Sequence, residues 1–242
     1  RELVVETSWS VLLISVLTVY VLLDGYDLGV AMLFPFVAAT ESERGMVRAT
    51  IGPVWAGNEV WLIAGSALLL LSFPKAFAAG FSGFYLALMI LLWLLIGRGL
   101  AFELRAHVEH QLWRRFWDAL FTVSGVLLAF LLGVLVGNVS RGVPLNEEGY
   151  FFLPLWTDFR PSAHPGLLDW FTVLSDMTMV ALLAVHAATY LGMKTLGELR
   201  EKCRGVVGGV TALAAVELWA LYVTWPFVQP AVRENYVINP AG

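Results

Sequence analysis

Asp24-Gly25-Tyr26-Asp27-Leu28-Gly29 decides how the chain must be read, because it places two carboxylates inside a long apolar run, Ser8–Phe36. A run of that length clears the roughly 20 residues that a membrane-crossing helix needs. Asp24 and Asp27 are three apart, so on a helix they share one face. Each acid at mid-span costs about 2.5–3.5 kcal/mol. Two on one turn must therefore face protein, water or a partner rather than lipid. Either they hold helices together, or they handle protons or a cation, the usual work of acids at that depth.

The rest of the chain agrees with a membrane setting. Of its 242 residues, 59% are hydrophobic and only 14% charged, and mean hydropathy is +0.75. A soluble all-helical core is a poor alternative, since too little polar surface remains to cover it. The net charge of −4 gives no sign of nucleic-acid binding. Cys203 is the one cysteine, which excludes an intrachain disulfide, a cysteine zinc site and an iron–sulfur cluster. No nucleotide-binding glycine loop, Walker motif or serine elbow is present. The glycines of Gly205-Val206-Val207-Gly208-Gly209 suit close helix packing better than phosphate binding.

Six apolar runs predict six spans: Ser8–Phe36, Pro53–Phe73, Phe77–Phe102, Phe116–Asn138, Leu167–Met193 and Val206–Val228. The fold class is all-α, a polytopic helical membrane bundle. Residues 1–138 form a first four-helix bundle, 139–166 a loop, and 167–242 helices five and six of an incomplete second bundle. Arg44, Arg48, Arg105, Arg114, Arg115, Lys194, Arg200, Lys202 and Arg204 crowd the odd-numbered loops. By the positive-inside rule those loops are cytoplasmic, and the N-terminus and the 139–166 loop extracytoplasmic. That loop holds Pro144, Pro154, Pro161 and Pro165, which resist helix, and a turn-like Asn146-Glu147-Glu148-Gly149. Between Phe102 and Trp117, acids, bases and two histidines alternate with Leu104, Val108, Leu112, Trp113 and Phe116, which fits either an amphipathic surface extension or an ordinary solvated helix end. The first apolar run is too long for the core of a cleavable signal and carries acids. The chain opens on Arg1 rather than Met, and it reads as an incomplete stretch of a longer protein.

With this orientation the polar groups of three spans fall at one depth. Asp24 and Asp27 occupy the inner half of span one, Glu59 the first turns of span two, and Arg98, Glu103 and Arg105 the inner end of span three. That depth suits a proton entry, while each acid alone could be interfacial. Arg98 and Glu103 stand about 140° apart on a helix, so Arg98 is expected to pair with Asp27 or Glu59 instead. Pro53 suits a first helical turn. Asn58 and Glu59 between Trp55 and Trp61 read equally as a polar contact within packed aromatics or as an interfacial belt. Of four histidines, only His186 lies deep in a span, so a haem held by two histidines of this chain is not available. His186 reads as a packing histidine or a single ligand. His107 and His110, with Glu103 or Glu109, have the spacing of a surface metal site, a spacing common on amphipathic helices. Asp169 can cap span five. Asp176 lies deeper and joins His186 as a second-rank polar candidate.

Taken together these stretches resemble the second subunit of cytochrome bd-type quinol oxidases, including the cyanide-insensitive branch. The resemblance rests on Asp24 to Gly29, Thr40-Glu41-Ser42-Glu43-Arg44, Ile51-Gly52-Pro53-Val54-Trp55, Gly57-Asn58-Glu59-Val60-Trp61-Leu62, Phe73-Pro74 and Phe81-Ser82-Gly83-Phe84-Tyr85. It continues through Arg98, Phe102-Glu103-Leu104-Arg105, Gly137-Asn138, Gly142-Val143-Pro144, Ala188-Thr189-Tyr190-Leu191 and Lys194 to Leu199. Order and spacing agree over nearly the whole chain. The resemblance implies a partner, a larger subunit holding two b-type haems, a d-type or third b-type haem, and the quinol site. The complex would oxidise quinol and reduce oxygen to water in a bacterial inner membrane, with small single-helix accessory subunits as further company. This subunit would bind no haem and no metal of its own, though some relatives carry a structural quinone, so a quinone or lipid fits the resemblance. Carried over by motif, Asp24, Asp27, Glu59, Arg98 and Glu103 are proton-transfer candidates, and Trp61 and Asn58 candidates for the partner-haem region and an oxygen route. Two departures stand out. Many relatives have an acid where this chain has Ala56, and the family usually has eight helices, as two four-helix halves, where six are visible here. The rival readings are a secondary transporter with a coupling cation on its acids, and a scaffold subunit whose acids only pack.

Overall fold

The computed structural model describes residues 2–162 and 164–230. In chain order its helices are α1 (Glu2–Val37), α2 (Glu41–Ile51), α3 (Trp55–Ser72), α4 (Pro74–Gly83), α5 (Tyr85–Leu104), α6 (Gln111–Arg141), α7 (Trp170–Lys194) and α8 (Gly197–Val228). Six of them, α1, α3, α5, α6, α7 and α8, are long and apolar enough to cross a membrane. They match the six apolar runs, and the fold is all-α as expected.

Central in the bundle is α1, packed against α3, α6 and α7; α6 lies between α5 and α7, and α8 rests on α7. Small residues set these close approaches. A Cβ on Gly29 would stand 2.2 Å from the Leu183 carbonyl oxygen, and one on Gly133 would stand 2.4 Å from the Asp176 Cα. Helices in lipid gain nothing from hiding apolar surface from each other, so such backbone contact is what joins them. The core runs along α1, from Leu28 and Val30 to Phe34 and Val37, and meets Phe121, Leu128 and Val134 of α6. By contrast α3, α5 and α8 keep wide apolar faces bare, with Ile63, Leu71, Trp93, Trp219 and Phe227 among the most exposed.

Two expectations need correction, and one open reading is decided. The run Phe77–Phe102 is not one helix: it breaks at Phe84 into α4 and α5. The ring of Phe151, from the long loop, is pressed so closely on Gly83 that a Cβ there would stand 2.1 Å from it, and it meets Phe84 edge-on at 4.9 Å. Of the two readings of Phe102–Trp117, the amphipathic extension gives way to an ordinary helix end. Leu104 ends α5, Arg105–His107 make a single 3-10 turn, Val108 and His110 are extended, and α6 starts afresh at Gln111. The Trp113 indole N–H donates to the Leu104 carbonyl at 2.9 Å and fixes that corner. Finally, α2 was not expected as a helix. Thr40 caps it: its hydroxyl accepts from the Glu43 N–H, and the Glu43 carboxylate accepts from the Thr40 N–H at 2.9 Å.

Between α6 and α7 the described residues form no helix or named strand, yet bury Phe151, Leu153 and Leu167. Asn146 shapes a turn by accepting from the Glu148 and Tyr150 N–H groups. Asn138 donates to the Leu167 carbonyl at 2.8 Å. Asp169 caps α7 as expected, and its other oxygen pairs with Arg141 of α6.

Candidate functional site

Of the motif that opened the sequence, Asp24 and Asp27 look toward α5 and α3, while Gly25, Tyr26 and Gly29 pack on α7. Asp24 is completely buried, and its Oδ1 takes a hydrogen bond of 2.8 Å from Nη1 of Arg98, itself only 2% exposed, on α5. The other guanidinium nitrogen, Nη2, lies 3.5 Å from the Glu59 carboxylate of α3. Arg98 thus ties three helices together. The expected pairing with Glu59 is present; that with Asp27 is replaced by Asp24. One helical turn on, Asn58 of α3 donates from its amide to Asp27 Oδ2 at 2.8 Å and to the Tyr26 hydroxyl at 2.7 Å. The Tyr26 ring stacks on Tyr190 of α7, centroids 4.2 Å apart, and the Tyr190 hydroxyl donates to the Thr50 carbonyl at 2.7 Å. Tyr20 is buried beside Asp24.

Buried polar atoms are nearly always hydrogen-bonded. Here Asp24 Oδ2, Asp27 Oδ1, and Nε and Nη2 of Arg98 have no hydrogen-bond partner among the described residues. A cavity of about 10 Å³ is lined by Asp27 and Arg98 together with Ile51, Trp55, Phe102 and Phe121. That is about the least volume that admits one water molecule. Arg48 of α2 lies over the Phe102 ring at 4.6 Å and donates to the Phe102 carbonyl.

Asp24, Asp27, Asn58, Glu59 and Arg98 therefore come together, and Glu103 and Trp61 do not join them. Glu103 is exposed at the end of α5, within electrostatic reach of Arg48. Trp61 looks outward from α3, 37% exposed. His186 of α7 stays a packing residue at one nitrogen, its Nε2–H donating to the Leu22 carbonyl at 2.9 Å. Asp176 is buried on α7 with Oδ1 unpartnered, and its electrostatic neighbour is Glu217 of α8, also buried. Among the described residues, no group of three or more His, Cys, Asp or Glu side chains could hold a metal ion.

Sequence reading missed a second ionic network, nearer the basic end of the bundle. Asp118 of α6 accepts from Arg44 of α2 at 2.9 Å and from Arg105, and Arg105 also forks onto Glu41 with two bonds of 2.9 Å. The hydrogen bonds and charge of Arg105 hold the Glu41 carboxyl below its usual range. Glu43 is held lower still, at about 2, by the Lys202 ammonium 2.7 Å away and by the backbone N–H groups of Thr40 and Ala39. Asp118, two residues inside the apolar run that starts at Phe116, was the available signal, of the same kind as Asp24.

Residues 5–239 match the family model described as cytochrome bd terminal oxidase subunit II. The chain belongs to this family. It is 33% identical over 222 residues to cytochrome bd-I ubiquinol oxidase subunit 2 of Escherichia coli K12, covering 92% of this chain and 57% of the relative. It is 35% identical to the probable cytochrome oxidase subunit 2 of Haemophilus influenzae, over 89% of this chain and 56% of that one. With cytochrome bd ubiquinol oxidase subunit 2 of Bacillus subtilis the identity is 31%, over 88% and 61% respectively. The chain thus spans somewhat more than half the length of these relatives. Subunit II of this family is an integral membrane protein, in keeping with the six long apolar helices, and the transporter reading finds no support.

Proposed function

We propose that this chain is the non-haem part of a bd-type quinol oxidase of the bacterial inner membrane, and that its acid–arginine cluster passes cytoplasmic protons toward an oxygen-reducing haem in a larger partner subunit. The complex as a whole would oxidise quinol and reduce oxygen to water. Two observations support a non-haem role: one histidine lies within the spans, and its Nε2 is hydrogen-bonded to a backbone carbonyl. A structural quinone or lipid, and small accessory subunits, are compatible with the same assembly. With the basic loops inside, the N-terminus is extracytoplasmic.

The observation that carries the proton reading is the cavity lined by Asp27 and Arg98, both of which have buried polar atoms with no hydrogen-bond partner among the described residues. One water there would join Asp27 to the Asp24–Arg98–Glu59 side of the cluster. Asn58 orients Asp27 for that hop. Arg98 is a fixed charge that does not give up its proton, so it positions the carboxylates rather than relaying. Glu59 is the cluster member that opens outward, its side chain 22% exposed. It stands one turn beyond Ala56 on the same face of α3, and so replaces the acid that many relatives carry at that position. Glu103 is an outlying acid, and Trp61 a surface residue on the partner-facing side.

The test uses the intact complex. Asp27→Asn and Glu59→Gln each lower quinol-driven oxygen consumption by roughly tenfold or more while the haem spectrum stays intact. Full turnover in both variants would make the cluster a scaffold, and loss of the haems would make the acids structural.

A further inference from the structure

Two cavities meet at the basic end of α1 and α6 and share Arg44 and Arg115. The outer one, about 380 Å³, is polar: Arg44, Arg114 and Arg115 face Glu41 and Glu109 across it. The inner one, about 480 Å³, runs down the apolar wall made by Phe34 and Pro35 of α1 and by Ala119, Thr122 and Val123 of α6. Residues 115, 119, 122 and 123 fall on one stripe of α6. From Arg115 to Val123 that stripe is about 12 Å long. One leaflet of hydrocarbon is about 15 Å deep. The cleft thus has a cationic mouth and an apolar channel of nearly one leaflet's depth.

The charges at the mouth do not cancel. Arg44 is bound to Asp118 and to the Ala38 carbonyl, and Arg114 to Glu41, which also serves Arg105. Arg115 is exposed and has no ion-pair or hydrogen-bond partner among the described residues. Counted over the whole network, Arg44, Arg105, Arg114 and Arg115 stand against Glu41, Glu109 and Asp118, which leaves one positive charge, and Arg115 carries it unpaired at the mouth of the apolar channel. We propose that this cleft binds one anionic phospholipid, its phosphate on Arg115 and Arg114 and one acyl chain laid along Pro35, Ala119 and Val123. The ionic network beneath fixes Arg44 and Arg114, so the headgroup meets a framework already held in place and only Arg115 has to be ordered.

The test is native mass spectrometry of the whole, delipidated complex, titrated with phosphatidylglycerol or with phosphatidylcholine. The first phosphatidylglycerol binds more tightly than the first phosphatidylcholine. Arg115→Gln weakens that phosphatidylglycerol about fivefold, the equivalent of about 1 kcal/mol for one arginine at an anionic headgroup, and weakens phosphatidylcholine, whose phosphate is offset by its ammonium, by less. Ala119→Trp, which fills the channel, weakens both lipids; Thr122→Phe takes its place if that variant does not assemble. No preference for phosphatidylglycerol, or no effect of Arg115→Gln, overturns the proposal. So does a loss with Arg115→Gln that channel-filling variants do not reproduce, since that marks a site for a bare anion. A density map of the complex with a protein helix in the channel overturns it as well.

Discussion

At the scale of single residues, Arg98 dominates. It is almost wholly buried, and its removal leaves Asp24 as an uncompensated charge in the bundle. Breaking a buried pair by deleting one partner costs about 3–5 kcal/mol. Arg98→Gln should therefore lower the melting temperature of the purified complex sharply, and Asp24→Asn added to it should restore much of the loss. Glu43 gives a pH prediction. Its carboxyl titrates at about 2, below the usual glutamate value of about 4.3, so its pairing with Lys202 stabilises the fold fully at pH values above about 4.3. That contribution fades as pH falls from there toward 2. Thermal melts of wild type and Glu43→Gln should differ most at pH 7, differ less as pH falls through about 4, and converge only near pH 2. The cluster was legible in outline: buried acids in three spans had to meet something, and Arg98 was the available cation. Which aspartate it takes was not legible. Asp24 and Asp27 differ by only about 60° around a helix, and the rotation of α1 against α5 is set by packing that sequence spacing does not contain.

At the scale of elements, glycines on α1 and α6 decide how closely the helices cross. Gly29→Ala would drive a methyl group into the Leu183 carbonyl of α7, a backbone atom with nowhere to go. Overpacking of that kind costs about 1–3 kcal/mol. Gly57→Ala, with nothing within 4 Å of the new methyl, should be neutral or slightly stabilising. Melting temperatures of the two variants check the contrast. Gly29 closes the motif with which the reading began, so part of what marks that motif is steric rather than chemical. Element boundaries were less legible than element number. The Thr40–Glu43 capping box that starts α2 stood in the sequence, but α2 is too polar to register as a span. The break at Phe84 depends on Phe151, which lies 67 residues further along the chain, and no local pattern announces a contact over that distance.

At the scale of the whole molecule, the exposed apolar faces are the main fact. Spans were legible because hydropathy is local and summed over about 20 residues. Which faces stay bare was not, since that needs the assembled bundle. Glu59 opens beside the bare faces of α3 and α5, where lipid would leave a carboxylate poorly solvated. A photoreactive lipid should label Ile63 and Trp93 in the chain purified alone and spare them in the complex; equal labelling would place the partner elsewhere. The long loop leads somewhere else. Phe151 is wedged against Gly83, and Leu167 and Asp169 are moored to Asn138 and Arg141, while Glu147 and Glu148 at the turn stand free of the bundle. A protease that nicks the backbone between those two glutamates would cut one polypeptide into two fragments that still travel as a single particle, because both sides of the cut remain clamped to the helices beneath.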